Sequence, residues 1–235
     1  MTSFRDVEFV EADFSGAKFR GVDFTNVTIT DAWIRHVHIS GHIDQLSVNG
    51  VDVAEYVERT LNERHPERLL LAASDVAGLR STWQGIEEFA QATLDIAMKL
   101  PPERFIESVD GEWTYLETLR HLIYATDRWI TGPVLSEAAP FHRIGMPNPP
   151  VDAVPSGLFD LDMSPSVDEV VGARRSRMDR VSDLLDQIDQ SELERVVESP
   201  NGGATTVLNC LHVVFREEWW HNQYANRDLE VLASR

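Results

Sequence analysis

The chain has 235 residues, 43% of them hydrophobic, enough for one large domain or a domain with an appendage. A net charge of −18 and a pI near 4.7 argue against a phosphate-binding surface and against adsorption to anionic membranes, so neither nucleic acid nor membrane is an expected partner. The single cysteine, Cys210, excludes an internal disulfide and fits a reducing cytoplasm, no apolar run approaches the ~18 residues of a membrane span, and the opening MTSFRDVEFVEADF has neither the basic nor the apolar part of a signal peptide.

The first region repeats every five residues. Phe4, Phe9, Phe14, Phe19, Phe24, Ile29, Ile34 and Ile39 form one series, and a small apolar residue precedes each by two positions from Val7 onward. This period matches neither a helix at 3.6 nor a strand at 2, and such self-similarity marks a solenoid. The segment resembles the pentapeptide-repeat family, in which four units make one square turn of a right-handed β-helix. The resemblance implies about two turns over residues 4–46, with the Phe/Ile series inside. Asp52 and Glu55 read as a capping box for a short helix at 52–64 that ends at His65-Pro66 and covers the last coil. The expected division is a solenoid at 1–50, a capping helix and linker at 51–73, and a helical domain at 74–235.

From residue 74 the period is helical. Helix one is expected over about 74–99, stopped by Pro101-Pro102. Helix two is expected over 111–131, capped by Asp110 and ended by Gly132-Pro133. Helix three begins at Ser166 with Glu169 completing a capping box and runs to about Gln190, and helix four covers 204–233. The Pro-rich stretch from Pro133 to Pro165 is too long for a tight turn, so the pattern is an all-α four-helix bundle with a long crossover between helices two and three.

Helix four carries Glu217-Glu218-Trp219-Trp220-His221. At 100° per residue Glu217 and His221 lie about 40° apart, on the face that also holds Cys210, Val214 and Ala225. A carboxylate among apolar neighbours needs a cation or strong donors. A divalent metal satisfies it, and so does a hydrogen bond from His or Arg at the mouth of a cleft. Helix two has one histidine, His121, at the margin of its apolar sector, where a partly exposed position on the bundle edge is the commoner outcome.

Residues 74–235 resemble the DinB-like superfamily of four-helix metalloproteins. The matching pieces are Gly111-Glu112-Trp113, then Glu117-Thr118-Leu119-Arg120-His121-Leu122, then Glu217-Glu218-Trp219-Trp220-His221 with Tyr224-Ala225 and Arg227-Asp228-Leu229. That family commonly binds a divalent metal through one histidine of helix two and a His-x-x-x-His pair of helix four. Here Glu217 stands at the first position of the pair, as in the mycothiol-dependent maleylpyruvate isomerase branch with its His, Glu, His set. The resemblance therefore implies His121, Glu217 and His221 as ligands of one divalent ion. Zinc is the default, with nickel, manganese or iron also compatible with such ligands. It further implies a small-molecule thiol such as mycothiol and an electrophile as partners, in S-transfer or thiol-assisted isomerisation. A homodimer stays open.

Other candidates weigh less. Glu218 is about 100° from Glu217, so it reads as a partner of the ligands or a surface charge. His142, on the crossover, is a candidate proton donor at the site mouth. Cys210 reads as a buried small residue, His212 points away from the Glu217/His221 face, and Trp113, Trp129, Trp219 and Trp220 read as core. His36, His38 and His42 read as outward-facing. The competing function class is a scaffold, with the solenoid as interaction surface and a structural metal. Residues 1–50 carry four Lys/Arg against seven Asp/Glu, a net of −3, which is weak for a DNA mimic.

Overall fold

Every pentapeptide turns at the same place. Asp6, Glu11, Gly16, Gly21, Asn26, Asp31, His36 and Gly41 all have positive φ, each two residues after a Phe or Ile of the series. The amide of Ala17 donates to Phe14 O at 3.0 Å and that of Val27 to Phe24 O at 3.1 Å, which closes turns with the left-handed residue at the third position. Asp13 and Asp23 brace these corners by accepting from the amides of Ser15 and Thr25. The computed structural model describes residues 3–19, 21–41, 43–148, 158–159 and 163–235, in two compact units, Met1–Glu58 and Arg59–Arg235.

Within the first unit the phenylalanines form a column. Consecutive rings from Phe4 to Phe24 meet mostly edge to face, with centroids 5.4–6.0 Å apart. The expected burial of this series is not found: the phenylalanines are 49–64% exposed and the isoleucines 63–69%. Among the described residues, no backbone hydrogen bond joins one turn of the repeat to the next; those recorded lie inside single corners. Among the described residues of 3–41 no strand is formed, and each ring has its neighbours in the series while its other faces stay open to solvent. A two-stranded hairpin, β1 (Ser47–Val48) with β2 (Val51–Asp52), leads into α1 (Ala54–Arg64). Asp52 accepts from Ala54 N at 2.9 Å, so the helix starts two residues later than expected. α1 buries none of its residues, and Tyr56 and Val57 are exposed.

In the second unit a 3-10 turn (Pro66–Ala72) precedes α2 (Val76–Ala97), and another (Pro102–Ile106) leads to α3 (Tyr115–Thr126). α3 is capped by Thr114 in a reciprocal box with Glu117, not by Asp110, which takes a positive φ ahead of Gly111. It continues as a π-helical turn, Asp127–Thr131, before the crossover. α4 (Val167–Gln187) opens on the expected Ser166/Glu169 box. Then come the short α5 (Gln190–Leu193), a hairpin of β3 (Val196–Glu198) with β4 (Ala204–Thr206), and α6 (Val207–Ala233), capped by Thr206. The sequence pattern passed over α5 and the hairpin because neither is long enough to show a period.

α2 and α3 each pack on both α4 and α6. Trp83 of α2 stacks on Phe215 of α6 at 5.4 Å in the lower core, and Phe105, Leu116, Ile123, Val170 and Leu229 fill the other end. The long connection does lie between the second and third bundle helices. None of the helices among the described residues is long and apolar enough to cross a membrane.

Candidate metal centre

α3 and α6 bring three ligand-type side chains together. His121 Nε2 lies 3.3 Å from Glu217 Oε2, and His221 Nε2 lies 3.2 Å from the same oxygen. One ligand atom from each residue falls within 4.8 Å of the others, the only such group among the described residues. Glu217 and His221 are one turn apart on α6, as the wheel requires, and both are half-buried.

His121 is 1% exposed, against the expectation of a position on the bundle edge. The crossover is the reason. It lies along the outer side of α3, so that nearly every residue of that helix is buried, Arg120 included. Arg120 Nε donates to Ile144 O at 2.8 Å, the amide of Met146 donates to Arg120 O at 3.1 Å, and His121 Nδ1 lies 3.1 Å from Met146 O. A carbonyl only accepts, so Nδ1 carries a proton and donates it. In the neutral ring this leaves the Nε2 lone pair facing a carboxylate oxygen, an arrangement that requires a cation between them, either a second proton on the ring or a metal. Two donors on a tetrahedral zinc at ~2.1 Å would stand about 3.4 Å apart, close to both Glu217 separations. The three residues fit a divalent ion by donor type, by the two separations from Glu217 and by the fixed tautomer of His121.

Electrostatics agree. Burial pushes the Glu217 carboxyl up, but hydrogen bonds from His121 and His221 and their charge outweigh it and hold it well below the usual carboxylate range. Glu218 points the other way, fully buried and ion-paired with Arg174 of α4. Burial pushes its carboxyl up to about 7, with the Arg174 charge pulling against the shift. Glu218 is thus neither a ligand of the cluster nor a surface charge. It is the buried partner of Arg174.

Trp113 is the site residue that sequence reasoning missed. Its ring packs on His121 at 4.8 Å and on His221 at 5.9 Å, 16° from parallel to the latter. The Gly111-Glu112-Trp113 pattern was the available signal. Beside His221 opens a cavity of about 160 Å³, walled by Trp113, Thr118, Tyr224, Glu112 and Asp228 among others. Its described walls come from residues 107–118 and from α6, not from the crossover. The crossover covers the Nδ1 side of His121, and the cavity lies on the side of His221.

His142 is not brought into the ligand cluster. Its amide donates to Asp127 Oδ2 at 2.8 Å and its Nδ1 accepts from the amide of Ile144 at 3.3 Å, so the neutral ring carries its proton on Nε2. Burial, then the Arg177 charge, hold its pKa below the ordinary value. Cys210 is buried as expected, its thiol pushed up to about 11 by burial. His212 bonds Ala73 O at 2.8 Å, away from the cluster. His36 and His38 are exposed, and His42 lies outside the described residues.

The family model described as the DinB superfamily matches residues 51–225, and the pentapeptide-repeat model matches residues 2–41 in eight copies. The chain therefore belongs to the DinB superfamily, a family that typically binds a metal, and carries pentapeptide repeats at its N-terminal end. The match begins at 51, so α1 and the following 3-10 turn fall inside it as well as the bundle up to residue 225 of α6. No curated protein and no solved structure matches the chain.

Proposed function

We propose that the chain is a metal-dependent enzyme that joins a small thiol to an electrophile, by S-transfer or by thiol-assisted isomerisation, with mycothiol the type of thiol envisaged. The observation that carries this reading is the trio His121, Glu217 and His221, two imidazoles and one carboxylate brought together, with His221 also lining a cavity. Three protein ligands leave a position for water or substrate. When bound, a zinc or similar divalent ion supplies Lewis acidity there, lowering the pKa of a thiol beside it and polarising a carbonyl oxygen. The chain's own residues do the rest. Met146 O fixes the tautomer of His121, Trp113 packs on both histidines and keeps water from their faces, and the cavity beside His221 receives the substrate. His142, with its proton on Nε2, is the crossover residue that would serve as proton donor, although it does not line the cavity beside His221.

The test is elemental analysis of untagged protein, followed by thiol and electrophile panels. One divalent ion per chain is expected, lost in the His121→Ala/Glu217→Ala/His221→Ala variant. Activity should vanish on chelation and return with a divalent ion. His142→Ala should slow turnover without metal loss. Metal-loaded protein that binds no small thiol at millimolar concentration would sink S-transfer. It would leave the second reading, a scaffold with a structural metal, which the exposed Phe column favours as a surface.

A further inference from the structure

The metal ligand on α3 is held by a loop, and that loop is held by a buried ion pair from elsewhere. Asp127, at the start of the π-helical turn, is fully buried. It receives Arg177 of α4 through Nε at 2.9 Å and Nη2 at 3.3 Å, and the Thr131 hydroxyl at 3.1 Å. Its remaining contact is with the crossover, where Oδ2 accepts the amide of His142 at 2.8 Å. From that point the crossover folds tightly. Gly145 N donates to His142 O at 2.9 Å, Arg120 clasps Ile144 O, and Met146 presents its carbonyl to His121 Nδ1 at 3.1 Å. A path of hydrogen bonds therefore runs from α4 through Asp127 to the ring of the buried ligand.

Gly145 shows how closely the loop is laid on α3. A Cβ there would stand 3.1 Å from His142 O, 3.2 Å from the Phe159 ring and 3.4 Å from Tyr124 Cβ. Phe141, Tyr124 and Phe159 pack ring on ring around this point, with centroids 5.4–5.8 Å apart. Arg120 fixes the loop at Ile144 to the helix that carries His121. Asp127 and Arg177 fix it to α4 as well. Partners that orient a ligating histidine set the direction of its lone pair and its basicity, and their loss typically weakens metal binding by about 10–100-fold.

We propose that Asp127 and Arg177 are positioning residues of the metal centre, acting through the crossover to aim His121, with Gly145 as the point of close approach that the arrangement requires. This rests on the reading of His121, Glu217 and His221 as metal ligands. The pair touches neither metal nor substrate. It sets where Met146 O stands, and so which nitrogen of His121 is free and where it points.

The test uses the full chain and zinc. Three variants are compared with the parent: Asp127→Asn, the double Asp127→Asn/Arg177→Met that removes both buried charges together, and Gly145→Ala that leaves the pair intact. Zinc affinity is measured by competition with a chelator, helix content by circular dichroism, and the His121 Nδ1–H proton by NMR, assigned through its loss in His121→Gln. The expected result is zinc affinity about 10–100-fold weaker with helix content retained, and the Nδ1–H signal lost to exchange. Parent-like zinc affinity with the Nδ1–H signal intact, in any variant that keeps its helix content, overturns the proposal. Unfolding of all three overturns it also, because the pair would then be a determinant of the fold alone. His121→Ala separates the two levels: if it keeps parent affinity, the metal reading itself fails, whereas its loss beside unaffected clamp variants condemns only the positioning role.

Discussion

Phe14 and Phe215 are the same residue in opposite circumstances. Phe14 has two ring neighbours in its column and is 49% exposed, while Phe215 is stacked on Trp83, walled by helices and 0% exposed. The period of the surrounding sequence makes the difference. A five-residue repeat returns each ring to the ring before it, so contacts are one-dimensional and local. A 3.6-residue period returns side chains to one stripe, and four stripes facing inward enclose a volume. The first arrangement is specified by corner geometry, the second by packing. The most direct attempt to break this contrast is a pair of truncations. Phe215→Ala should destabilise the unit 59–235 by about 3–5 kcal/mol, the cost of deleting a fully buried aromatic ring. Phe14→Ala should cost the first unit only about 1–2 kcal/mol, the worth of its aromatic contacts and partial burial. Hydrogen exchange read peptide by peptide assigns each loss to its unit. Equal costs would mean that the repeat closes around its rings in solution.

Metal sharpens the contrast from the other side. A ligand present at about a hundred times its Kd stabilises the unit that binds it by roughly 2.7 kcal/mol. Zinc should therefore raise the unfolding midpoint of the bundle and leave protection of residues 3–41 unchanged. Chelation should reverse the shift in the parent, and the variant lacking all three ligands should show none. Protection gained in the repeat would place a binding site there instead.

Acid–base behaviour separates the two carboxylates of α6 in the metal-free protein. Glu217 has a depressed pKa, so its contribution is present above the ordinary carboxylate value of 4.5 and lost as pH falls below it. Glu218 is raised to about 7, so the folded state holds its proton more tightly than the unfolded chain. Its contribution is full below pH 4.5 and declines as pH rises towards 7, with a slope of at most about 1.4 kcal/mol per pH unit. Glu218→Gln should flatten the stability profile between pH 4.5 and 7 relative to the parent. An unchanged difference across that window would show that Arg174 keeps Glu218 ionised throughout.

The sequence spoke clearly where a period was long. The five-residue repeat, the four bundle helices, the crossover and the Ser166/Glu169 cap were all legible, and the Glu217/His221 spacing alone put both side chains on one face. His121 was legible only through family resemblance. Its helical wheel places it at a margin, and what buries it is a loop without any period, through Met146 and Ile144. The same loop hid the role of Asp127, whose partners come from positions 131, 142 and 177. Trp113 was read as core because an aromatic residue ahead of a helix carries no mark of what it will cover. The period-five left-handed corner was written in Asp6, Gly16, Gly21, Asn26, Asp31 and Gly41, residue types that tolerate positive φ, but the apolar series drew attention from it.

Those corners give the smallest and most discriminating prediction. If corner geometry specifies the repeat, its stability should answer to backbone preference at positions that touch nothing. Gly16 has φ +75 and no atom within 4 Å of where a Cβ would stand. Gly16→Ala should therefore lose about 1 kcal/mol from left-handed strain alone, with no clash to confuse the result. Glu11 occupies the same corner of the preceding unit at φ 52, where a long side chain is disfavoured. Glu11→Gly removes that strain but gives the unfolded chain more freedom, so it should gain only a few tenths of a kcal/mol. The signs are opposite at equivalent positions of neighbouring repeats. Hydrogen exchange over residues 3–41 should fall in protection for the first and rise slightly for the second. If both substitutions act in the same direction, side-chain packing governs the repeat as it governs the bundle, and the contrast between the two units is one of degree.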